Sequence, residues 1–156
     1  MNIENYLVDE IDRKLIGALR RGGRLSNTDI AHQLRLARGT VQSRLARLVE
    51  RGVIVGWGPD IDPRASDHAV TAFTTLSIRQ GTHESVIGHL TAIIEVLEVH
   101  VVTGGGDLLC RVAARGNDHL HDLIQTIVSI EGVERSESQL ALSTPVSRSL
   151  ADLIGR

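Results

Sequence analysis

"SNTDIAHQLRLARGTVQSRLARLVERG", residues 26–52, decides how the front of this chain folds. Ser26 stands before the apolar run and Asp29 follows three residues later, the spacing of a capping box, so a short helix is predicted to end near Leu34. The four residues "RLAR" (35–38) make a brief connection. Beyond them Val41, Leu45 and Leu48 form a single apolar stripe at helical spacing, and Gly52 supplies a stop. Working back toward the N-terminus, residues 9–22 carry Ile11, Leu15, Ala18 and Leu19 at the same spacing, with Gly22 and Gly23 available to end that helix. Three helices with a short turn before the last make a helix-turn-helix.

Working forward, "VIVGWGPDIDPRASD" (53–67) is β-prone at first and then rich in Gly, Pro and Asp. It is predicted to be a strand or wing running into a linker, with Asp60 and Asp62 as turn formers. Past the linker, "VTAFTTLSIR" (70–79) reads as a strand, and Thr82 can cap a helix carrying Val86, Leu90, Ile93 and Ile94. "VLEVHVVT" (96–103) and "DLLCRVAA" (107–114) read as two further strands. Asn117 can cap a helix with Leu120, Leu123, Ile124, Ile127 and Val128, and "VERSESQLALST" (133–144) closes the set as a fourth strand. The order βαββαβ predicts an α+β domain of ferredoxin-like type with both helices on one sheet face. The expected organisation is a winged helix-turn-helix over 1–58, a linker over 59–69, a βαββαβ domain over 70–145, and a tail over 146–156 that is either a short helix or loose chain.

Charge divides along the same line. Residues 1–57 hold ten Lys or Arg against six acids, a balance of +4, whereas the rest of the chain holds seven against thirteen, a balance of −6. The basic half suits a polyanion and the acidic half does not. An apolar fraction of 42% is ample for packed cores. The first residues lack the basic patch and apolar stretch of a secretory signal, and no apolar run reaches the ~18 residues of a membrane span, which predicts a cytoplasmic protein with no membrane partner. Cys110 lies in an apolar run and reads as a small buried hydrophobe.

With the Val41, Leu45, Leu48 stripe turned to the core, the third helix presents Gly39, Gln42, Ser43, Ala46 and Arg47, flanked by Thr40, Arg44 and Arg51, with Arg38 at its start. Small residues allow close approach to a major groove, Gln and Arg can read base edges in bidentate fashion, and hydroxyls and further arginines can hold phosphates. Double-stranded DNA is the partner this face suits. In the other half, "VTGGGDLLC" (102–110) joins two strands and has no Lys close by, which argues against a phosphate cradle. Two readings remain open for it. Glycine amides can take an α-carboxylate while Asp107 takes an α-ammonium group, matching an amino acid; alternatively the glycines make a hairpin turn whose amides Asp107 satisfies.

In order and spacing, "LVDEIDRKLIGALRRGGRLSNTDIAHQL", "GTVQSRLARLVERGVIVGW" and "VTGGGDLL" resemble the Lrp/AsnC family of leucine-responsive, feast/famine transcription regulators, over about Leu7 to Pro145. The resemblance implies a winged helix-turn-helix joined to a βαββαβ domain that forms dimers, assembles them further into octamers, and senses an amino acid at contacts between dimers. The residues of the third helix expected to contact DNA are Arg38, Gly39, Thr40, Gln42, Ser43, Arg44 and Arg47. The resemblance places the effector at Thr103, Gly104, Gly105, Gly106 and Asp107, with Ser136 and Ser138 from a neighbouring chain. This chain departs from the family in two places. Gly105 and Gly106 stand where members often carry an acidic or aromatic residue, and Ala37 stands where many have a capping Ser or Thr, at a cost of about 1 kcal/mol to the helix start.

Other chemistry finds little support. His119 and His121 are two apart on a predicted helix, unlike an i, i+4 zinc pair, and His83, His89 and His100 are scattered, so no metal or cofactor is expected. No nucleophile elbow, Walker pattern or paired carboxylates suggest an enzyme. Phe73, Trp57 and Tyr6 are too few for stacking on single strands. The expected function is a sequence-specific transcription regulator that oligomerises and senses an amino acid. The alternatives are a nucleoid-type architectural DNA binder without effector, and an amino-acid-binding module that regulates an enzyme through protein contacts.

Overall fold

The computed structural model describes residues 8–22, 25–59, 61–62 and 65–155, so Tyr6, Gly23 and Asp60 lie outside the described residues. The elements run α1 (Glu10–Gly22), α2 (Asn27–Leu34), α3 (Arg38–Glu50), β1 (Val70–Ile78), α4 (His83–Thr91), β2 (Val96–Val101), β3 (Leu108–Ala114), α5 (Asn117–Val128), β4 (Val133–Leu140) and α6 (Leu150–Ile154). They divide into two compact units, one of Met1–Pro59 with Pro145–Arg156 and one of Asp60–Thr144. Among the described residues no helix is long and apolar enough to cross a membrane.

In the first unit α1, α2 and α3 bury Leu15, Ile16, Ala18, Ile30, Ala31, Val41, Leu45 and Leu48 in one cluster. Leu15, Ala18, Val41, Leu45 and Leu48 come from the predicted apolar stripes, which a 3.6-residue period brings to one side, and Ile16, Ile30 and Ala31 join them. The capping box at α2 forms as its spacing predicts: the Asp29 amide donates to Ser26 Oγ at 3.2 Å and the Ser26 amide to Asp29 Oδ2 at 3.0 Å. Helix α2 ends on Arg35 in the left-handed region at φ 54°, and the Leu36 amide turns back to the Ala31 carbonyl at 2.9 Å. Arg38, which the sequence assigns to the connection, is the first residue of α3.

The strand or wing predicted after Gly52 does not form a strand. The Val53 and Ile54 amides both donate to the Leu48 carbonyl, at 2.9 and 3.1 Å, so the β-prone residues close the end of α3 instead of starting a ladder. Residues 55–59 then run without regular structure. The tail resolves as a helix. Ala151 and Ile154 of α6 pack on the first unit's core, the Arg20 Nε donates to Asp152 Oδ1 at 2.7 Å, and Arg21 donates to the Gly155 carbonyl at 2.8 Å.

The second unit is an antiparallel sheet in the order β2-β3-β1-β4, the ferredoxin-like arrangement. Val70↔Ala114 through Leu76↔Leu108 pair β1 with β3, and Ala72↔Leu140 through Ile78↔Val133 pair β1 with β4. Ala72, Leu76, Ile78, Leu108, Cys110, Val112 and Ala114 share a core with Val86 and Leu90 of α4 and Leu120, Leu123 and Ile127 of α5, so both helices cover one face. The strand period of two turns Phe73, 40% exposed, to the other face.

Three details differ from the sequence expectation. Helix α4 stops at Thr91, leaving Ile94 beyond it and exposed, and α5 is capped at Gly116 with Asn117 as its first residue. Thr82 does precede α4, but its hydroxyl donates to the Arg79 carbonyl at 2.6 Å and gives the helix no side-chain cap.

Candidate functional site

Burial on α3 alternates as the stripe predicts. Val41, Leu45 and Leu48 are buried, Arg38, Gly39, Gln42, Ser43, Ala46 and Arg47 are exposed, and Thr40 and Arg44 are half-buried. Ala37 begins the helix with no side-chain cap; its carbonyl accepts from the Thr40 amide at 3.0 Å. Ser43 Oγ donates to the Thr40 carbonyl at 3.1 Å and keeps lone pairs for an outside donor. An open groove of about 500 Å³ runs beside this face, lined by Asn27, Gln42, Leu45, Ala46, Val49, Glu50 and Trp57.

Arg44 differs from its neighbours. Its Nη1 donates to Asp9 Oδ2 at 2.5 Å and to Asp12 Oδ1 at 2.8 Å. The Arg44 hydrogen bond holds the Asp9 carboxyl below the usual carboxylate range, and Asp9 and then Asp12 raise Arg44 in return. Arg47 lies 3.9 Å from Asp12, beyond hydrogen-bond reach, with nearly half of its side chain in solvent. Of these two arginines Arg47 is therefore the exposed one, as Arg38 is at the start of the helix, while Arg44 is engaged within the fold. The acids responsible were legible as "DEID" at the start of a predicted helix, a D-x-x-D at capping-box spacing, but their reach to α3 was not.

In the second unit, residues 102–107 join β2 to β3 through a bend with Gly104 at φ 116°. The Val102 amide donates to the Asp107 carbonyl at 3.0 Å, and the Asp107 amide to the Leu76 carbonyl at 2.8 Å. Thr103, Gly104 and Gly105 are exposed, and among the described residues neither Gly104 nor Gly105 donates its amide to another group. Gly106 has a packing reason: a Cβ there would stand 2.4 Å from Thr75 Cγ2. Asp107 Oδ2 accepts from the Ile78 amide at 2.8 Å. One of its oxygens thus ties the loop to the end of β1, and among the described residues the Gly104 and Gly105 amides stay open.

Ser136 and Ser138 lie on β4 opposite Leu76 and Thr74. Ser138 Oγ is 3.0 Å from the buried Thr74 hydroxyl, and Ser136 is half-buried. Within one chain, Asp107 and Ser136 flank the same end of β1 from opposite sides, since Leu76 is the neighbour of both. A second cavity of about 450 Å³, lined in part by His68, Glu95, Leu97 and Arg111, occupies the other end of this sheet. Among the described residues no group of three or more His, Cys, Asp or Glu is placed to hold a metal ion.

Comparison with known proteins finds two family models in succession along the chain. Residues 8–55 match the family model described as winged helix-turn-helix DNA-binding, and residues 71–151 match the Lrp/AsnC ligand binding domain. The chain is 31% identical over 137 residues to the HTH-type transcriptional regulator FL11 of Pyrococcus horikoshii, spanning 88% of this chain and 91% of that one. It is 28% identical over 150 residues to the regulatory protein AsnC of Escherichia coli K12, spanning 95% and 99%. The solved structure of E. coli AsnC superposes with a TM-score of 0.85 at 26% identity over 94% of this chain and 99% of that one. A feast or famine regulatory protein from M. tuberculosis complexed with L-methionine superposes with a TM-score of 0.82 at 31% identity over 90% and 96%. With both halves matched in order and relatives aligned over nearly its whole length, the chain belongs to the Lrp/AsnC family of DNA-binding transcription regulators.

Proposed function

We propose that this protein is a cytoplasmic, homo-oligomeric regulator that reads operator DNA with the outer face of α3 and senses an amino acid at the 103–107 loop. The observation that carries the DNA half is the exposure of Gln42, Ser43, Ala46 and Arg47 on a helix whose opposite side is buried. Gln42 and Arg47 supply bidentate groups for base edges, Gly39 and Ala46 let the helix enter the groove, and Arg38 and Ser43 hold phosphates. Thr40, half-buried at the helix start, offers its hydroxyl to a phosphate.

For the effector, the unpaired amides of Gly104 and Gly105 suit an α-carboxylate, and the second oxygen of Asp107 suits an α-ammonium. The M. tuberculosis relative complexed with L-methionine supports that ligand class. The hydroxyls of Ser136 and Ser138 complete the site from a neighbouring chain. Dimers set two α3 helices against half-sites about one helical turn apart, or a multiple of it. The amino acid regulates by binding one assembly better than another, since equal affinity for both would shift nothing.

The test is fluorescence anisotropy with duplex from upstream of the protein's own gene and with a shuffled duplex, across a salt series and a panel of amino acids. Specific binding that falls steeply with salt and shifts with one amino acid is expected. Arg47→Ala should cost about 1–3 kcal/mol on the specific duplex and relax discrimination. Equal affinity for both duplexes sinks the sequence-reading role.

A further inference from the structure

The start of α1 holds an arrangement that DNA contact does not by itself explain. Asp9 and Asp12 cap one another: the Asp12 amide donates to Asp9 Oδ1 at 2.8 Å, and the Asp9 amide points to Asp12 Oδ2 at 3.4 Å. This reciprocal cap holds both carboxylates, and both meet the recognition helix. Arg44 Nη1 bridges Asp9 Oδ2 and Asp12 Oδ1, while Arg47 Nη2 stands 3.9 Å from Asp12 Oδ2. Asp12 is 1% exposed, against 21% for the Arg44 side chain and 48% for that of Arg47.

These numbers order the three groups by freedom. A carboxylate taken out of water is tolerated only while it is paired and hydrogen-bonded, so Arg44 cannot leave for a phosphate without stranding Asp12. Arg47 faces the other oxygen of Asp12 from 3.9 Å and keeps about half of its surface in solvent, so it can reach outward at little cost. Two guanidinia one helical turn apart are thus given different tasks by one buried acid.

We infer that Asp12 is a specificity-determining positioning residue, which with Asp9 withholds Arg44 from DNA phosphates and sets the starting position of Arg47, so that α3 offers its base-reading cation without a competing one beside it. This rests on the DNA-reading role proposed for α3. Specificity gains because a guanidinium free to grip any phosphate adds affinity for every duplex alike.

The test uses the full chain and the two duplexes above, with the salt slope of log K as the readout that a merely structural role would leave alone. Replacing both Asp9 and Asp12 with Asn frees Arg44, since each carboxylate holds it. This variant should tighten binding to the shuffled duplex, steepen the salt slope by about 0.9, the increment of one added phosphate contact, and lower the specific-to-shuffled ratio roughly tenfold. Adding Arg44→Gln to the two Asn changes keeps neutral hydrogen-bonding partners should the first variant fold poorly, and its salt slope should equal the wild-type value. A slope unchanged in the Asp9→Asn, Asp12→Asn variant, or one that falls by about 0.9 in the variant that also carries Arg44→Gln, overturns the inference, the latter because Arg44 would then be a phosphate contact in the native protein. Wild-type protein that binds neither duplex at low salt removes the DNA-reading role itself, an outcome distinct from both.

Discussion

Asp107 shows how one side chain can satisfy two descriptions at once. Its Oδ2 closes the end of β1 on the Ile78 amide, and its backbone amide and carbonyl hold the loop to Leu76 and Val102. Alanine there leaves the Ile78 amide without an acceptor and should cost about 1–3 kcal/mol of stability. Asparagine keeps a carbonyl in place and removes only the charge. Asp107→Asn should therefore melt close to wild type while losing the DNA-binding response to the amino-acid panel; a full response in that variant would show that the charge is not used. Sequence alone left the turn and ligand readings open because both need the same residue types, and the hydrogen bond to the Ile78 amide, 29 residues away on β1, is one that neither reading named. Cys110 is simpler. Its burial pushes the thiol up to about 11, so at neutral pH it is an uncharged core side chain, as its apolar surroundings in the sequence suggested.

At the scale of elements, α1 carries a glycine that its own helix does not want. Glycine in a helix interior costs about 1 kcal/mol relative to alanine. The reason for Gly17 is α6: a Cβ at position 17 would stand 2.5 Å from the Gly155 carbonyl oxygen, the same oxygen that Arg21 binds. Arg20 and the Ser149 amide and hydroxyl hold the Asp152 carboxyl well below the usual carboxylate range, pinning the start of α6 beside that contact. Gly17→Ala should lower the first unit's melting temperature, followed by the fluorescence of Trp57, the chain's single tryptophan. In a chain ending at Thr144 the same substitution should raise it, because only the helix propensity then remains. A loss in both chains would disconnect Gly17 from α6. The sequence left this tail open between a short helix and loose chain, since five residues capped by Ser149 and Asp152 do not make a helix without a partner surface.

For the whole molecule, the basic and acidic halves of the sequence correspond to the two compact units, except that the chain returns after Thr144 to finish the first one. The sheet's uncovered face carries Phe73 at 40% exposure, beside Thr71 and Thr75 of the same strand parity. An apolar residue on an open central strand suits pairing with a second copy. Phe73→Asp should give a monomer by light scattering and weaken operator binding by losing the second head, while leaving the sheet folded; an unchanged mass would assign self-association to another surface. The sequence by itself determined what periodicity and turn chemistry can specify: three helices with a capped second, the βαββαβ order, the buried stripe of α3 and hence its outward face. These are local properties, set by spacings of two and 3.6 residues and by which side chains can cap or turn. Only the tertiary structure decided that Arg44 belongs to Asp9 and Asp12, that Asp107 answers Ile78, and that the tail completes the first unit. Each of those depends on a partner far away in the chain, and a polar group chooses among such partners by distance and burial, which no local pattern encodes.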